Sequence, residues 1–234
     1  MLKAVIFDFD GVITDSEILH FRAFNQVLKQ HGFELTKEEY YKTYLGFSDA
    51  DCYAALIQEG RLKIEKEQIR NLIDKKKVIY KEIALKEGKL NEGVRDFLLM
   101  LDENSIPMAI CSGSLMSEVE MILADTGLRN LFKEIVSGEQ VKKGKPDPEG
   151  FLLTLEKLNN NKAISDQLEN SNHIEANDCV VIEDSQWGLQ AAKAAGMHIV
   201  AVTTSYGPEK LGLAEKIIDQ LKELSLDDLH QLCA

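Results

Sequence analysis

Acidic side chains that could carry out chemistry stand directly after short apolar runs of the sequence. Asp8 and Asp10 end the first apolar run, and Glu183 and Asp184 follow the run Cys179–Ile182. Carboxylates that crowd together repel one another unless a cation neutralises them. Oxygen ligands of this kind suit Mg²⁺, which binds through one or two carboxylates and a substrate phosphate and keeps several waters. The residue types therefore predict a magnesium site that also receives a phosphate group.

Residues suited to the phosphate follow two other parts of the sequence. Ser112 and Gly113 come after the apolar run Pro107–Cys111, where their hydroxyl and backbone N–H groups would open a helix and donate to phosphate oxygens. Lys145, in a later loop, supplies a fixed positive charge for a phosphate or a carboxylate. An aspartate can attack phosphorus and form an aspartyl-phosphate, which divides one difficult reaction into two steps. Together these residues indicate phosphoryl transfer.

The elements that must position these residues alternate between strand and helix. Strand-like runs lie at residues 3–9, 107–111, 134–136, 179–182 and 197–202, and helical patterns separate them. This alternation predicts an α/β fold, a Rossmann-like parallel sheet core with helices on both faces. Each polar residue alone is typical of a helix cap or a turn. Ligands bind at the carboxyl ends of parallel strands, so we expect the polar residues to meet at one sheet edge.

A long helical stretch separates the first two strands. The gap is about 90 residues, far more than the crossover between parallel strands requires. We therefore interpret residues 16–88 as an inserted α-helical cap domain, and residues 1–15 and 89–234 as the α/β catalytic core. The asparagine-rich residues 159–177 are predicted to be a long connection on the surface of the core.

Composition excludes several classes of protein. The chain has 234 residues, with 27 Lys and Arg against 39 Asp and Glu, a formal net charge of −12. This acidity argues against a nucleic-acid or anionic-membrane binder, and no apolar run approaches the roughly 20 residues of a membrane span. The N-terminus shows no signal peptide, and the four cysteines are scattered without metal-type spacing, so we expect reduced thiols in a cytoplasmic protein. We also expect a monomer whose partner is a small phosphorylated metabolite.

The ordered motifs resemble the signatures of the haloacid dehalogenase-like superfamily. The run Asp8–Asp15 resembles the first signature, Ser112 the second, Lys145 the third, and Glu183–Asp184 the acidic fourth. The similarity spans essentially the whole chain and includes a helical cap between the first two signatures. It implies a Mg²⁺-dependent hydrolase in which Ser112 and Lys145 hold the transferring phosphoryl group.

The same resemblance implies roles for the carboxylates. Asp8 would be the nucleophile and Asp10 the general acid and base. Mg²⁺ would be bound by Asp8, the Asp10 carbonyl and Asp184, with Glu183 at or near the water shell of the metal. The second carboxylate, Asp10, favours phosphate chemistry over haloacid chemistry, because a leaving alkoxide needs a proton and a halide does not.

Two cap residues bear on the substrate. His20 resembles the cap-helix histidine of the β-phosphoglucomutase-like branch, and residues 46–49 resemble its specificity loop. True mutases of this branch carry basic residues on both sides of the loop, whereas this chain has Leu45 and Asp49. We expect Asp49 to repel a second phosphate. The prediction is therefore a phosphatase acting on a small phosphate monoester, such as a sugar or polyol phosphate, with a phosphosugar mutase and a non-hydrolytic binding module as alternatives.

Overall fold

The computed structural model of the chain describes residues 1–45, 47–124, 126–167 and 173–234. Residues 1–15 and 89–234 form one compact unit, and residues 16–88 form a second. The strands are β1 (Ala4–Phe7), β2 (Met108–Cys111), β3 (Phe132–Val136), β4 (Cys179–Glu183), β5 (His198–Val202) and β6 (Lys216–Ile218). The helices are α1 (Glu17–Lys29), α2 (Lys37–Thr43), α3 (Asp49–Gln58), α4 (Ile69–Glu87), α5 (Val94–Glu103), α6 (Met116–Ala124), α7 (Glu149–Asn160), α8 (Lys162–Gln167), α9 (Gln186–Ala194) and α10 (Leu226–Leu232).

The six strands form one parallel sheet in the order β3-β2-β1-β4-β5-β6. Val5 of β1 aligns with Met108 of β2 on one side and with Val180 of β4 on the other. The strand order reverses between β1 and β4, and the carboxyl ends of β1, β2 and β4 are neighbours. Such a reversal opens a crevice at the sheet edge. The predicted α/β fold with a parallel sheet is confirmed.

Alternation along β1 explains why the sheet is covered on both faces. Val5 and Phe7 belong to one apolar cluster, which includes the rings of Phe97 and Phe132. Ala4 and Ile6 belong to a second cluster with residues of α7 and α9. Successive side chains of a strand point to opposite faces, so an uninterrupted apolar strand needs helices on both sides.

The structure contains one strand that the sequence pattern did not predict, and part of one segment differs from its prediction. β6 is a three-residue strand at the sheet edge in which only Ile218 is buried, so it carries no recognisable apolar pattern. The asparagine-rich segment is not wholly a connection, because α7 extends to Asn160 and α8 occupies Lys162–Gln167. Residues 168–172 of this segment lie outside the described residues.

The second unit consists of α1 to α4 around its own apolar cluster. The rings of Phe24 and Tyr53 stack at its centre, with centroids 4.6 Å apart. The Thr36 and Ser48 hydroxyls accept hydrogen bonds from the backbones of Glu39 and Asp51 and so begin α2 and α3. None of the helices in the described part of the chain combines the length and the hydropathy of a membrane span.

Candidate active site

The predicted core residues meet at the carboxyl edge of the sheet. The backbone N–H of Asp8 donates to the Ile182 carbonyl at 2.9 Å, which joins the end of β1 to the end of β4. The backbone N–H of Ser112, just after β2, donates to the Val136 carbonyl at the end of β3. Asp184 directly follows β4. Parallel pairing therefore gathers residues from distant parts of the sequence.

Three buried carboxylates form the centre of this edge. Asp8, Glu183 and Asp184 are 7%, 1% and 4% exposed, and each offers a carboxylate oxygen within 4.8 Å of the others. Burial raises the pKa of Asp8 to about 8; the charges of Glu183 and Asp10 add to this effect, and Lys145 offsets only part of it. Burial, together with Glu183 and Asp8, also raises the pKa of Asp184. Three carboxyl groups buried together suit a divalent cation, which favours their ionised forms, and the all-oxygen donor set fits a hard metal ion.

Lys145 is the ammonium group that faces this cluster. It donates to a carboxylate oxygen of Asp8, to Glu183 Oε1 at 2.7 Å and to the Cys111 carbonyl at 3.1 Å. Burial by itself lowers the pKa of Lys145, but the charges of Asp8 and Glu183 raise it well above its ordinary value. Lys145 therefore stays charged at neutral pH and places one fixed positive charge beside the three carboxyl groups.

Glu183 is held by protein donors at both of its carboxylate oxygens. Its Oε2 accepts from the backbones of Asp184 and Ser185, each at 2.8 Å, and from the Ser185 hydroxyl at 3.0 Å. A Cβ atom at position 188 would lie 1.7 Å from Oε1, so only Gly188 leaves room for this carboxylate. Glu183 thus braces the turn that carries Asp184 and orients Lys145.

Asp10 lies beside the carboxylate cluster and has different partners. Its Oδ2 accepts from the Ser114 hydroxyl at 2.5 Å and from the Ser112 hydroxyl at 3.3 Å. The carboxylate of Asp10 is half-buried, whereas that of Asp8 is buried. Two aspartates that are nearly adjacent in sequence therefore occupy different environments, as distinct chemical roles require.

The predicted phosphate-binding residues border a cavity. This cavity of about 210 Å³ is lined by Ser112, Gly113 and Lys145, among other residues. The Ser112 hydroxyl also accepts from the backbone of Ser114 at 2.9 Å, which shapes the turn before α6. Hydroxyl, backbone and ammonium groups thus border one cavity, and the Lys145 ammonium also contacts Asp8.

Ser205 is a further residue of the candidate site that the sequence motifs did not predict. Its hydroxyl donates to Asp184 Oδ2. Ser205 follows β5 and stands outside every motif, so no local pattern marks it. Proximity to Asp184 depends on the pairing of β4 with β5, which only the folded chain provides.

The two predicted cap residues meet each other through Lys76, which belongs to the cluster Lys75–Lys77, from which the sequence allowed one lysine to point inward. Lys76 Nζ lies 2.5 Å from Asp49 Oδ1 and 2.9 Å from His20 Nδ1. The His20 ring stacks on Tyr80 with centroids 4.1 Å apart. Burial and the charge of Lys76 hold the pKa of His20 well below its ordinary value, so Nδ1 of the neutral ring accepts from Lys76.

This pairing corrects one expectation about the cap. Asp49 was expected to present an unbalanced negative charge, but the ammonium of Lys76, with a side chain only 6% exposed, balances it. Gly46, in the same predicted specificity loop, lies outside the described residues.

Comparisons with known proteins agree with this geometry. A family model described as haloacid dehalogenase-like hydrolase matches residues 5–202. A phosphorylated carbohydrates phosphatase of Thermotoga maritima is 32% identical over 95% of this chain and all of that protein. A β-phosphoglucomutase of Bacillus subtilis is 30% identical over 98% of this chain and 95% of its own length.

Solved structures show the same architecture. CbbY from Rhodobacter sphaeroides in complex with phosphate superposes with a TM-score of 0.82 at 25% identity, covering 98% of this chain and all of that one. The family that the sequence motifs resemble is thus confirmed over most of the chain. This chain belongs to the haloacid dehalogenase-like hydrolase family.

Proposed function

We propose that the chain is a Mg²⁺-dependent phosphatase that hydrolyses a small phosphate monoester through an aspartyl-phosphate on Asp8. One observation carries the proposal: Asp8 contacts Lys145 and lies within a buried cluster of carboxylates, while Asp10 is held separately by Ser114. A nucleophile, a fixed cation and a second carboxyl group are the parts that displacement at phosphorus requires.

The carboxylate cluster would hold the metal. Asp8 and Asp184 offer oxygen ligands, and the backbone carbonyl of Asp10 is the further ligand that the sequence motif predicts. Bound Mg²⁺ supplies positive charge that offsets the repulsion between Asp8 and the incoming phosphate. Glu183, whose two oxygens accept from protein donors, orients Lys145 and the turn before Asp184.

Asp8 performs the first chemical step in this proposal. One of its carboxylate oxygens forms a bond to phosphorus as the bond from phosphorus to the ester oxygen breaks. Lys145 already donates a hydrogen bond to Asp8. The ammonium therefore fixes the orientation of the nucleophile and remains beside the phosphoryl group. The hydroxyl of Ser112 and the backbone N–H of Gly113 are the donors for the transferring phosphoryl oxygens.

Asp10 moves the protons. It donates a proton to the departing alkoxide in the first step and accepts one from the water that attacks the aspartyl-phosphate in the second. General acid and base catalysis of this kind contributes about 10²–10⁴ in rate. The hydroxyls of Ser114 and Ser112 donate to one oxygen of Asp10 and so orient its carboxyl group.

A sugar or polyol phosphate is the substrate class that we propose. The Thermotoga maritima relative, named for phosphorylated carbohydrates, supports this class. The relative named β-phosphoglucomutase keeps a mutase as the second candidate. A mutase must hold a second phosphate, and a positive charge would attract that phosphate. In residues 16–88, Asp49 balances the positive charge of the buried Lys76. This ion pair favours the phosphatase.

Phosphate release from a panel of sugar and polyol monophosphates tests the proposal. We expect turnover with Mg²⁺, loss of turnover with EDTA, and no turnover by Asp8→Asn, because an amide does not attack phosphorus. Asp15→Asn is the matched control, since Asp15 ends the same sequence motif but is exposed. Wild-type rates in Asp8→Asn would contradict the aspartyl-phosphate. Conversion of β-glucose 1-phosphate to glucose 6-phosphate in the presence of glucose bisphosphate would instead establish the mutase.

A further inference from the structure

The loop that carries Asp10 folds back on itself and uses its own backbone donors. The N–H groups of Ile13 and Thr14 donate to the Phe9 carbonyl at 2.9 and 3.1 Å. The N–H of Gly11 donates to the Thr14 carbonyl at 2.7 Å. The carbonyls of Gly11 and Val12, directly after Asp10, take hydrogen bonds from elsewhere in the chain.

Asn91 provides those partners from 80 residues further along the chain. Its side-chain Nδ2 donates to the Gly11 carbonyl at 2.9 Å and to the Val12 carbonyl at 3.1 Å. Its backbone N–H donates to the Ile13 carbonyl at 2.9 Å. An amide NH₂ has two hydrogens in one plane, so a single asparagine satisfies two successive carbonyls at once.

The bonded loop has little room to move. Gly11 has a φ of +85°, and a Cβ atom there would lie 1.7 Å from Asp184 Oδ2. The backbone beside Asp10 is thus pressed against a predicted metal ligand on one side and held by Asn91 on the other. Because the Gly11 carbonyl is one residue from Asp10, a shift of this carbonyl moves the carboxyl group that exchanges protons.

We propose that Asn91 is a positioning residue that sets the geometry of Asp10 for proton transfer to the leaving group. The inference rests on the proposed phosphatase function and deepens it. Asn91 touches no reacting atom and acts through the Gly11 and Val12 carbonyls. Misplacement of a catalytic group by about 1 Å can cost on the order of 10²-fold in rate.

The identity of the leaving group separates this role from simple support of the fold. An alkoxide needs a proton as it departs, whereas 4-nitrophenolate is stable as an anion and departs without one. The constant kcat/KM covers only the steps up to departure of the leaving group. Loss of Asp10 geometry should therefore lower kcat/KM for a sugar monophosphate far more than for 4-nitrophenyl phosphate.

The experiment compares both esters in Asn91→Ala with saturating Mg²⁺. We expect kcat/KM to fall about 10-fold or more for the sugar phosphate and less than about 3-fold for the aryl ester. Asn159→Ala is the matched control. The Asn159 side chain also bonds a distant backbone, donating to the Ile174 carbonyl at 3.0 Å and accepting from its N–H at 2.7 Å, and it touches no residue of the site. In Asn159→Ala, the ratio of kcat/KM for the sugar phosphate to kcat/KM for the aryl ester should equal the wild-type ratio.

Asn91→Asp is a second variant that keeps the shape of the side chain and the backbone hydrogen bond but loses the two donated ones. It should reproduce the selective loss. Equal losses for both esters, or no loss in a folded variant, would overturn the proposal. Failure of both variants to fold would also overturn it, since Asn91 would then support the fold as a whole. Turnover of the two esters by the wild-type protein tests the proposed phosphatase function and does not depend on the role of Asn91. If the wild-type protein hydrolyses neither ester, the inference about Asn91 fails as well.

Discussion

Replacing Lys145 by methionine removes the ammonium that faces the buried carboxylates and keeps an apolar side chain of similar length. The lysine contacts Asp8 and Glu183, whose side chains are 9% and 1% exposed. Breaking a buried ion pair by deleting one partner costs about 3–5 kcal/mol. Burial already raises the pKa of Asp8 to about 8, so the loss arises at a carboxyl group that is still ionised beside Lys145. Proton uptake limits this loss. A carboxyl group with an unfolded-state pKa of about 4 takes up a proton at pH 7 at a cost of about 4 kcal/mol, and at pH 5.5 at a cost of about 2 kcal/mol.

The free energy of unfolding should therefore fall by about 4 kcal/mol at pH 7 and about 2 kcal/mol at pH 5.5 in the metal-free variant. The direction of this pH dependence follows from the linkage between proton binding and folding. A carboxyl group whose pKa is raised in the folded state makes its full contribution to protein stability at pH values below its unfolded-state pKa. This contribution is lost as the pH rises toward the folded-state pKa. For a chain of this size, the Tm should drop by roughly 8–16 °C at pH 7 and by half as much at pH 5.5.

Thermal unfolding in EDTA at the two pH values measures this difference. Lys143→Met is the matched control from the same loop, since the Lys143 side chain is 73% exposed and its pair with Asp147 spans 3.4 Å. Such a surface pair contributes about 0–1 kcal/mol, so the control should show a small decrease at both pH values. A Lys145→Met decrease that is independent of pH, or no larger than that of the control, would refute the electrostatic reasoning.

Two further substitutions test the supports of the metal site. Ser205→Ala removes the hydroxyl that donates to Asp184 Oδ2, so Mg²⁺ affinity measured by calorimetry should fall about 10–100-fold, and unchanged affinity would contradict the assigned role. Gly188→Ala places a Cβ atom 1.7 Å from Glu183 Oε1. This overpacking should lower the free energy of unfolding by about 1–3 kcal/mol or more, which a decrease of the Tm would show. A Tm within about 1 °C of the wild type would show that Glu183 can move without cost.

The sequence by itself determined the sheet, its helical insertion and the core of the site. β1, β2 and β4 are largely apolar runs, and Asp8, Ser112 and Asp184 each follow directly on one of them. Local hydrophobic patterns predict where strands end, and a parallel sheet brings those ends to one edge. The residues that we propose to react could therefore be named without knowledge of their distances.

Tertiary structure alone decided which residues support the ones that we propose to react. Asn91 reaches carbonyls 80 and 79 residues away, Ser205 reaches Asp184 across 21 residues, and Lys76 neutralises Asp49 across 27. None of these pairs leaves a local signal, because an asparagine, a serine or a lysine is an ordinary surface residue until the fold supplies its partner. Charge balance and hydrogen bonding depend on distance in space, and distance between residues remote in sequence is fixed only when the elements pack.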